Sequence, residues 1–253
     1  MRTLKSLMAA VALTATGLGL VQAKAAETNV AVAANFTSAA KDIATAFKEK
    51  TGHDAVLSFG STGKLYTQIT QDAPFQVFLA ADTARPEKLV KDGLAAAESR
   101  FTYAVGKLVL WSRDPALVTG ETTLKQASFE KLSICNPAAA PYGAAAVETM
   151  KSLGLYDALK PKFVEGANIS QAYQFVETGN AEIGFVALSQ VVSDDRGSRW
   201  EVPQDLYQPI RQDAVLLNKG EGNEAAAAFL EFLKGPEVHA IIVRYGYASG
   251  MSS

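Results

Sequence analysis

The 253-residue chain predicts an α/β protein of two lobes, each a mostly parallel sheet flanked by helices, with a cleft at the hinge between them. Three observations predict it. Short apolar runs alternate with amphipathic stretches, as in parallel sheets covered on both faces. The alternation restarts in a second block after residue 111. No low-complexity tether separates the blocks, so strands are expected to join the lobes.

The first block opens with a strand at Val30–Ala34, then Asn35 and an amphipathic helix over about Thr37–Lys50 with Ile43, Ala44 and Phe47 at helical spacing. Thr51-Gly52-His53 stops it, and Ala55–Phe59 reads as a second strand. Gly60-Ser61-Thr62-Gly63 turns into a helix from Lys64 toward Gln71. Phe75–Ala80 is continuously apolar, as buried parallel strands are, and a helix through Val90 follows. Tyr103–Trp111 and Asp213–Leu217 are expected to be the two crossings between lobes.

In the second block Leu132–Cys135 reads as a strand, and Pro141-Tyr142-Gly143 leads into a helix carrying Val147 and Met150. A strand is expected to end at Val164 before Asn168-Ile169-Ser170 opens a helix, and Ile183–Ala187 is another buried strand. The last helices, Asn223–Leu233 and Pro236–Tyr245, are divided at Gly235-Pro236 and are expected to return to the first lobe. The expected organisation is a signal peptide over 1–26, lobe 1 over 27–104 plus 213–253, and lobe 2 over 105–212.

The leader rests on Arg2 and Lys5 before the apolar run Leu7–Leu20, with small residues at Ala23, Ala25 and Ala26. That pattern is a secretory signal cut between Ala23 and Glu27, and the run is short for a membrane span. Cys135 is the only cysteine, so neither a lipid anchor at the cut nor an intrachain disulfide is available. An exported, unlipidated chain of this kind is expected in the periplasm, as a monomer.

Removing Arg2, Lys5 and Lys24 leaves 21 basic against 26 acidic residues, a net charge of −5. No basic run interleaves with aromatics, which argues against a nucleic-acid partner. His53 and His239 are the only histidines and lie in no catalytic motif. Metal-ligand spacing and the nucleophile-elbow pattern are absent, and Gly60–Lys64 is misspaced for a phosphate-binding loop. Cys135 reads as a small buried hydrophobe, and Asp194-Asp195-Arg196-Gly197 as a solvated turn. Lys64 and Lys107 are not counted as ligands.

Four strand-to-helix junctions carry the candidate chemistry: Asn35, Ser61 with Thr62, Tyr142 with Gly143, and Asn168 with Ile169 and Ser170. The first amides of a helix lack intrahelical acceptors and face the positive dipole end, which makes such junctions anion sites. Ser, Thr and Asn there also serve as ordinary N-caps worth about 1 kcal/mol. If the parallel strands all end at the cleft, the four junctions converge.

The motifs V-A-A-N-F (Val32–Phe36), S-F-G-S-T-G-K-L (Ser58–Leu65), A-P-F-Q-V-F-L-A-A-D (Ala73–Asp82) and L-K-G-P (Leu233–Pro236) resemble the molybdate-binding component of bacterial ABC transporters. So do G-K-L-V-L-W-S (Gly106–Ser112), N-P-x-x-A-P-Y-G (Asn136–Gly143) and I-G-F-V-A-L (Ile183–Leu188), in the same order. The resemblance spans nearly the whole mature chain. It implies the type II periplasmic binding protein fold, with molybdate or tungstate dehydrated in the hinge cleft, no cofactor, no direct cation ligand, and a membrane permease as partner. Molybdenum enters only as the oxyanion.

By that resemblance Asn35 and Thr62 match side-chain ligands, Tyr142 and Ile169 match backbone donors, and Ala34 and Ser61 are possible additions. Many members carry a tyrosine where this chain has Ala187. Asn35, whose amide also donates hydrogen bonds, is the candidate to compensate, and the sequence leaves open whether it does. Sulfate remains an alternative ligand, and a secreted enzyme on the same scaffold, using Cys135 or a carboxylate, is the alternative outside the binding class.

Overall fold

The computed structural model describes residues 25–250. The leader expected over 1–26 therefore lies almost wholly outside the described residues. The strands form two sheets, one of six and one of five.

The larger sheet is built from β1 (Glu27–Ala33), β2 (Asp54–Gly60), β3 (Val77–Leu79), β4 (Phe101–Gly106), β10 (Ile210–Leu216) and β11 (Ala248–Ser249). Its order is β11-β4-β10-β3-β1-β2. β1 pairs in parallel with β2 and β3, whereas β10 runs antiparallel to β3 and β4, as β11 does to β4. The smaller sheet holds β5 (Leu108–Ser112), β6 (Leu132–Cys135), β7 (Phe163–Gly166), β8 (Ile183–Ala187) and β9 (Ser198–Glu201), in the order β7-β6-β8-β5-β9. β6 is parallel to β7 and β8, and β5 is antiparallel to β8 and β9.

Each sheet is thus mixed, not mostly parallel. A chain that leaves one sheet for the other and comes back must place its outgoing and returning strands against the parallel block. β4 and β5 are those outgoing strands, separated only by Lys107. The predicted crossing at Asp213–Leu217 is instead strand in the larger sheet, which β10 enters at Ile210. The return runs through 202–209, where Pro203 and Pro209 lack the N–H needed for sheet pairing.

The helices are α1 (Thr37–Thr51), α2 (Thr62–Thr70), α3 (Ala84–Lys91), α4 (Glu121–Gln126), α5 (Pro141–Ser152), α6 (Tyr156–Leu159), α7 (Ile169–Glu177), α8 (Leu188–Val191), α9 (Glu224–Leu233) and α10 (Pro236–Arg244). α2 starts two residues before the sequence-based boundary because Ser61 caps it, accepting from the Lys64 N–H. β7 runs on to Gly166, past the predicted end at Val164. Ala34 leaves the strand and begins a 3-10 turn, Ala34–Phe36, that feeds α1.

Burial follows the layers. Ile43 and Phe47 of α1 pack with Phe229 and Leu230 of α9 and Ile242 of α10 against Val30, Val32 and Leu79. The C-terminal helices do return to the first sheet. Leu65, Ile69 and Leu89 cover its other face over Ala31, Phe78 and Val215. Met150 and Ala172 pack on Leu110, Ile134 and Phe185 of the smaller sheet.

Candidate functional site

The C-terminal ends of the parallel strands face one another across the space between the sheets. β1 delivers Ala33, Ala34 and Asn35; β2 delivers Ser61 and Thr62; β3 leads to Ala81; β6 leads to Ala140, Pro141 and Tyr142; β7 leads to Ile169. These ten residues line a single small cavity of about 10 Å³, on the order of one water-sized centre. A wider hollow shares Ala81 and Pro141 with it and bears Asp82, Glu148 and Arg211.

All six predicted site residues, Asn35, Thr62, Tyr142, Ile169, Ala34 and Ser61, lie in this lining. Their donors come from helix starts. Thr62 and Ile169 are the first residues of α2 and α7, and Tyr142 is the second of α5, so their N–H groups have no acceptor one turn earlier. The Thr62 hydroxyl accepts from the Ala81 N–H at 3.1 Å, which turns its own proton elsewhere. Ser61 Oγ accepts from the Lys64 N–H at 3.4 Å and keeps its proton too. Capping and donation are therefore compatible at Ser61.

Asn168 and Ser170, also at the fourth junction, are not in the lining. Asn168 caps α7, accepting from the Gln171 N–H at 3.0 Å, and Ser170 Oγ donates to the Ala34 carbonyl at 3.2 Å.

Asn35 departs from expectation. Its Nδ2 donates to Gln212 Oε1 at 2.8 Å and to the Tyr247 hydroxyl at 3.1 Å, which engages both amide hydrogens. In this arrangement the side chain has no amide hydrogen left over for an anion. What Asn35 retains for the cavity is its main chain. Its carbonyl accepts from Tyr247 at 2.7 Å and from Ser189 Oγ at 2.8 Å. Tyr103 adds a bond to Gln212 Oε1 at 3.1 Å.

Gln212, Tyr247, Ser189 and Tyr103 form the support that sequence reasoning missed. They lie from 68 to 212 residues away from Asn35 in the chain, and no local motif marks them. Burial pushes the Tyr103, Tyr142 and Tyr247 hydroxyls well above the usual phenol range, so all three stay neutral donors. The Tyr142 hydroxyl and Gln212 Nε2 are buried without hydrogen-bond partners, and both abut Gly106 at the end of β4.

No Asp, Glu, Lys, Arg or His contributes to the lining. Cys135, at the end of β6, is buried, and desolvation pushes its thiol up to about 12. His53 lies beside the start of β1, its Nδ1 accepting from the Ala26 N–H at 3.1 Å. Asp194 pairs with Arg196 at 2.7 Å on the surface, as the turn reading expects. Among the described residues no cluster of three or more His, Cys, Asp or Glu is arranged to hold a metal ion.

Comparison with known proteins identifies the family and the fold. The family profile described as bacterial extracellular solute-binding protein matches residues 28–248. The molybdate-binding protein ModA of Azotobacter vinelandii is 59% identical over 239 residues, covering 92% of this chain and 95% of its own. ModA of Rhodobacter capsulatus is 55% identical over 240 residues, covering 93% and 95%. The solved Azotobacter vinelandii periplasmic molybdate-binding protein superposes with a TM-score of 0.85 at 40% identity, over 88% of this chain and all of that one. The chain belongs to the bacterial extracellular solute-binding protein family, with the molybdate-binding proteins as its relatives and their two-lobed type II fold as its own.

Proposed function

We propose that this protein captures molybdate, and tungstate with it, in the cavity between the lobes and delivers it to the permease of a membrane ABC transporter. The observation that carries the reading is a lining with hydrogen-bond donors from four helix starts and no ionisable group except the Tyr142 phenol, which burial keeps neutral. A fully deprotonated dianion only accepts hydrogen bonds. Such a site binds it while offering a protonated oxyanion no carboxylate acceptor. Charge-assisted bonds of this kind contribute about 1.5–3 kcal/mol each.

The ligand set we infer is the hydroxyls of Thr62 and Ser61 with the backbone N–H groups of Asn35, Thr62, Tyr142 and Ile169, Ala34 and Ala81 being their neighbours on the wall. Closure would bring residues 27–104 plus 213–253 against 105–212, with the strand ends at 105–106 and 210–212 as the shared hinge. Binding without turnover is the expected behaviour. The cavity supplies no base, and the Cys135 thiol is held up at about 12, far from a thiolate at neutral pH.

The described residues include no helix long and apolar enough to cross a membrane. The leader pattern over 1–26 supports export to the periplasm, and a monomer is the state we expect there. Calorimetric titration of the leader-free protein with molybdate, tungstate, sulfate and phosphate tests the proposal. One-to-one binding of molybdate and tungstate, with sulfate and phosphate much weaker, is expected. No heat with any oxyanion would sink it.

A further inference from the structure

Apart from the bonds of Ser170 and Ser189 to the Ala34 and Asn35 carbonyls, two hydrogen bonds at the other rim of the cavity join the lobes. The Gly63 N–H donates to the Ala139 carbonyl at 2.8 Å, and Arg85 Nη2 donates to the Ala138 carbonyl at 2.9 Å. Both donors come from the larger-sheet lobe and both acceptors from the segment that leads into α5. Consecutive carbonyls are thus gripped by one backbone amide and one guanidinium.

Each side of this contact is held in place by bonds within its own lobe. Asp82 accepts from the Arg85 N–H at 2.9 Å and pairs with its guanidinium, which fixes the fork at the start of α3. Opposite, Asn136 Oδ1 accepts from the N–H groups of Ala138 and Ala139 at 2.9 and 3.1 Å, folding the segment so that its carbonyls face outward. Asn136 Nδ2 is tied in turn to Glu165 at 2.6 Å. The Arg85 side chain is only 26% exposed, unusual for an arginine whose one job is a helix-start ion pair.

The two anchors are also neighbours of the anion donors in the chain. Gly63 follows Thr62, and Ala139 precedes Ala140 and Tyr142, so shutting this contact seats both donor sets at once. Gly63 has no room for a larger residue: a Cβ there would lie 3.0 Å from the Ala139 Cα and carbonyl oxygen.

We propose that Arg85 is a positioning residue that clasps the closed lobes and, with Gly63, sets how slowly the bound oxyanion is released, without touching it. This rests on the oxyanion reading of the cavity. The bonds form only when the lobes meet, so their loss acts on the dissociation rate. Selectivity among anions is left to the cavity wall.

Stopped-flow binding of molybdate to the leader-free protein tests the clasp. Arg85→Ala is expected to raise the dissociation rate roughly tenfold or more, as for loss of a hydrogen bond from a charged donor. The association rate and the molybdate-to-sulfate affinity ratio should stay near wild type. Arg85→Lys should recover little, because a point charge cannot hold Asp82 with a fork and reach the carbonyl as well. Gly63→Ala keeps the Arg85 side chain but puts a Cβ 3.0 Å from Ala139 and 3.1 Å from Arg85 Nη2, so it crowds both halves of the contact and should also speed release, which keeps the test open if Arg85→Ala folds poorly.

A purely structural Arg85 would lower the ligand-free melting temperature and leave the dissociation rate alone, and that result overturns the clasp. If wild type binds molybdate tightly and both variants release it at the wild-type rate, the clasp alone fails. If wild type does not bind molybdate, the reading of the cavity fails and the clasp falls with it.

Discussion

Asn35 Nδ2 donates to Gln212 Oε1 at 2.8 Å, joining the end of the first strand to one 177 residues later. The bond is buried, and it turns an apparent ligand side chain into a brace. Asn35→Ala would remove one donor from each of the Gln212 and Tyr247 oxygens, which keep Tyr103 and the residue-35 carbonyl as partners, at about 0.5–1.5 kcal/mol for each lost bond. The melting temperature is expected to fall with the affinity. Gln212→Ala should cost less in the Asn35→Ala background than in wild type, a coupling that a double-mutant cycle by chemical denaturation would detect.

Thr62→Ala should act differently. It removes a hydroxyl that faces the cavity and leaves the Ala81 N–H without its acceptor. Molybdate affinity is expected to drop roughly 10- to 100-fold, the worth of one hydrogen bond to a charged group, with a smaller loss of stability. Thr62→Ser should restore most of the affinity, as calorimetry would show.

Gly106 sits where the outgoing strand leaves the larger sheet. A Cβ at this position would lie 2.1 Å from the Tyr142 hydroxyl and 2.7 Å from Gln212 Nε2. Gly106→Ala must therefore displace Tyr142, whose backbone N–H faces the cavity. Weaker molybdate binding and a melting temperature several degrees lower are expected from overpacking of about 1–3 kcal/mol. Unchanged affinity would show that the ring moves without its backbone.

Three buried phenols set the alkaline limit. Tyr103, Tyr142 and Tyr247 have hydroxyls raised above the ordinary value of 10 by desolvation. The unfolded chain loses these protons at lower pH than the folded one, so it binds fewer protons above about pH 10. Stability is then lost as pH rises. Denaturation midpoints should hold steady from pH 7 to about 9 and fall beyond about 10. Tyr247→Phe should soften that fall.

Cys135 should resist modification. Its thiol is 1% exposed and pushed up to about 12. A thiol reagent at pH 8 should label it at the rate of unfolding, not at that of a free cysteine. Rapid labelling of the folded protein would contradict the burial.

The strands at Leu132–Cys135 and Ile183–Ala187 were legible to the residue, because a short continuous apolar run between turn residues has few other folded outcomes. The junctions that open α2, α5 and α7 were legible as junctions, α2 to within two residues, since cap chemistry is local and the missing acceptors of a first turn follow from helix geometry alone. Resemblance supplied which of those starts to combine.

Only the tertiary structure decided what each residue does there. Asn35 looked like a donor to the ligand until Gln212 and Tyr247 were beside it, and Arg85 looked like any surface arginine until the Ala138 carbonyl came within 2.9 Å. The antiparallel strands that link the lobes were equally hidden. Local sequence fixes which hydrogen-bonding groups a segment offers, whereas the partner of each is set by packing between segments that chain order leaves far apart.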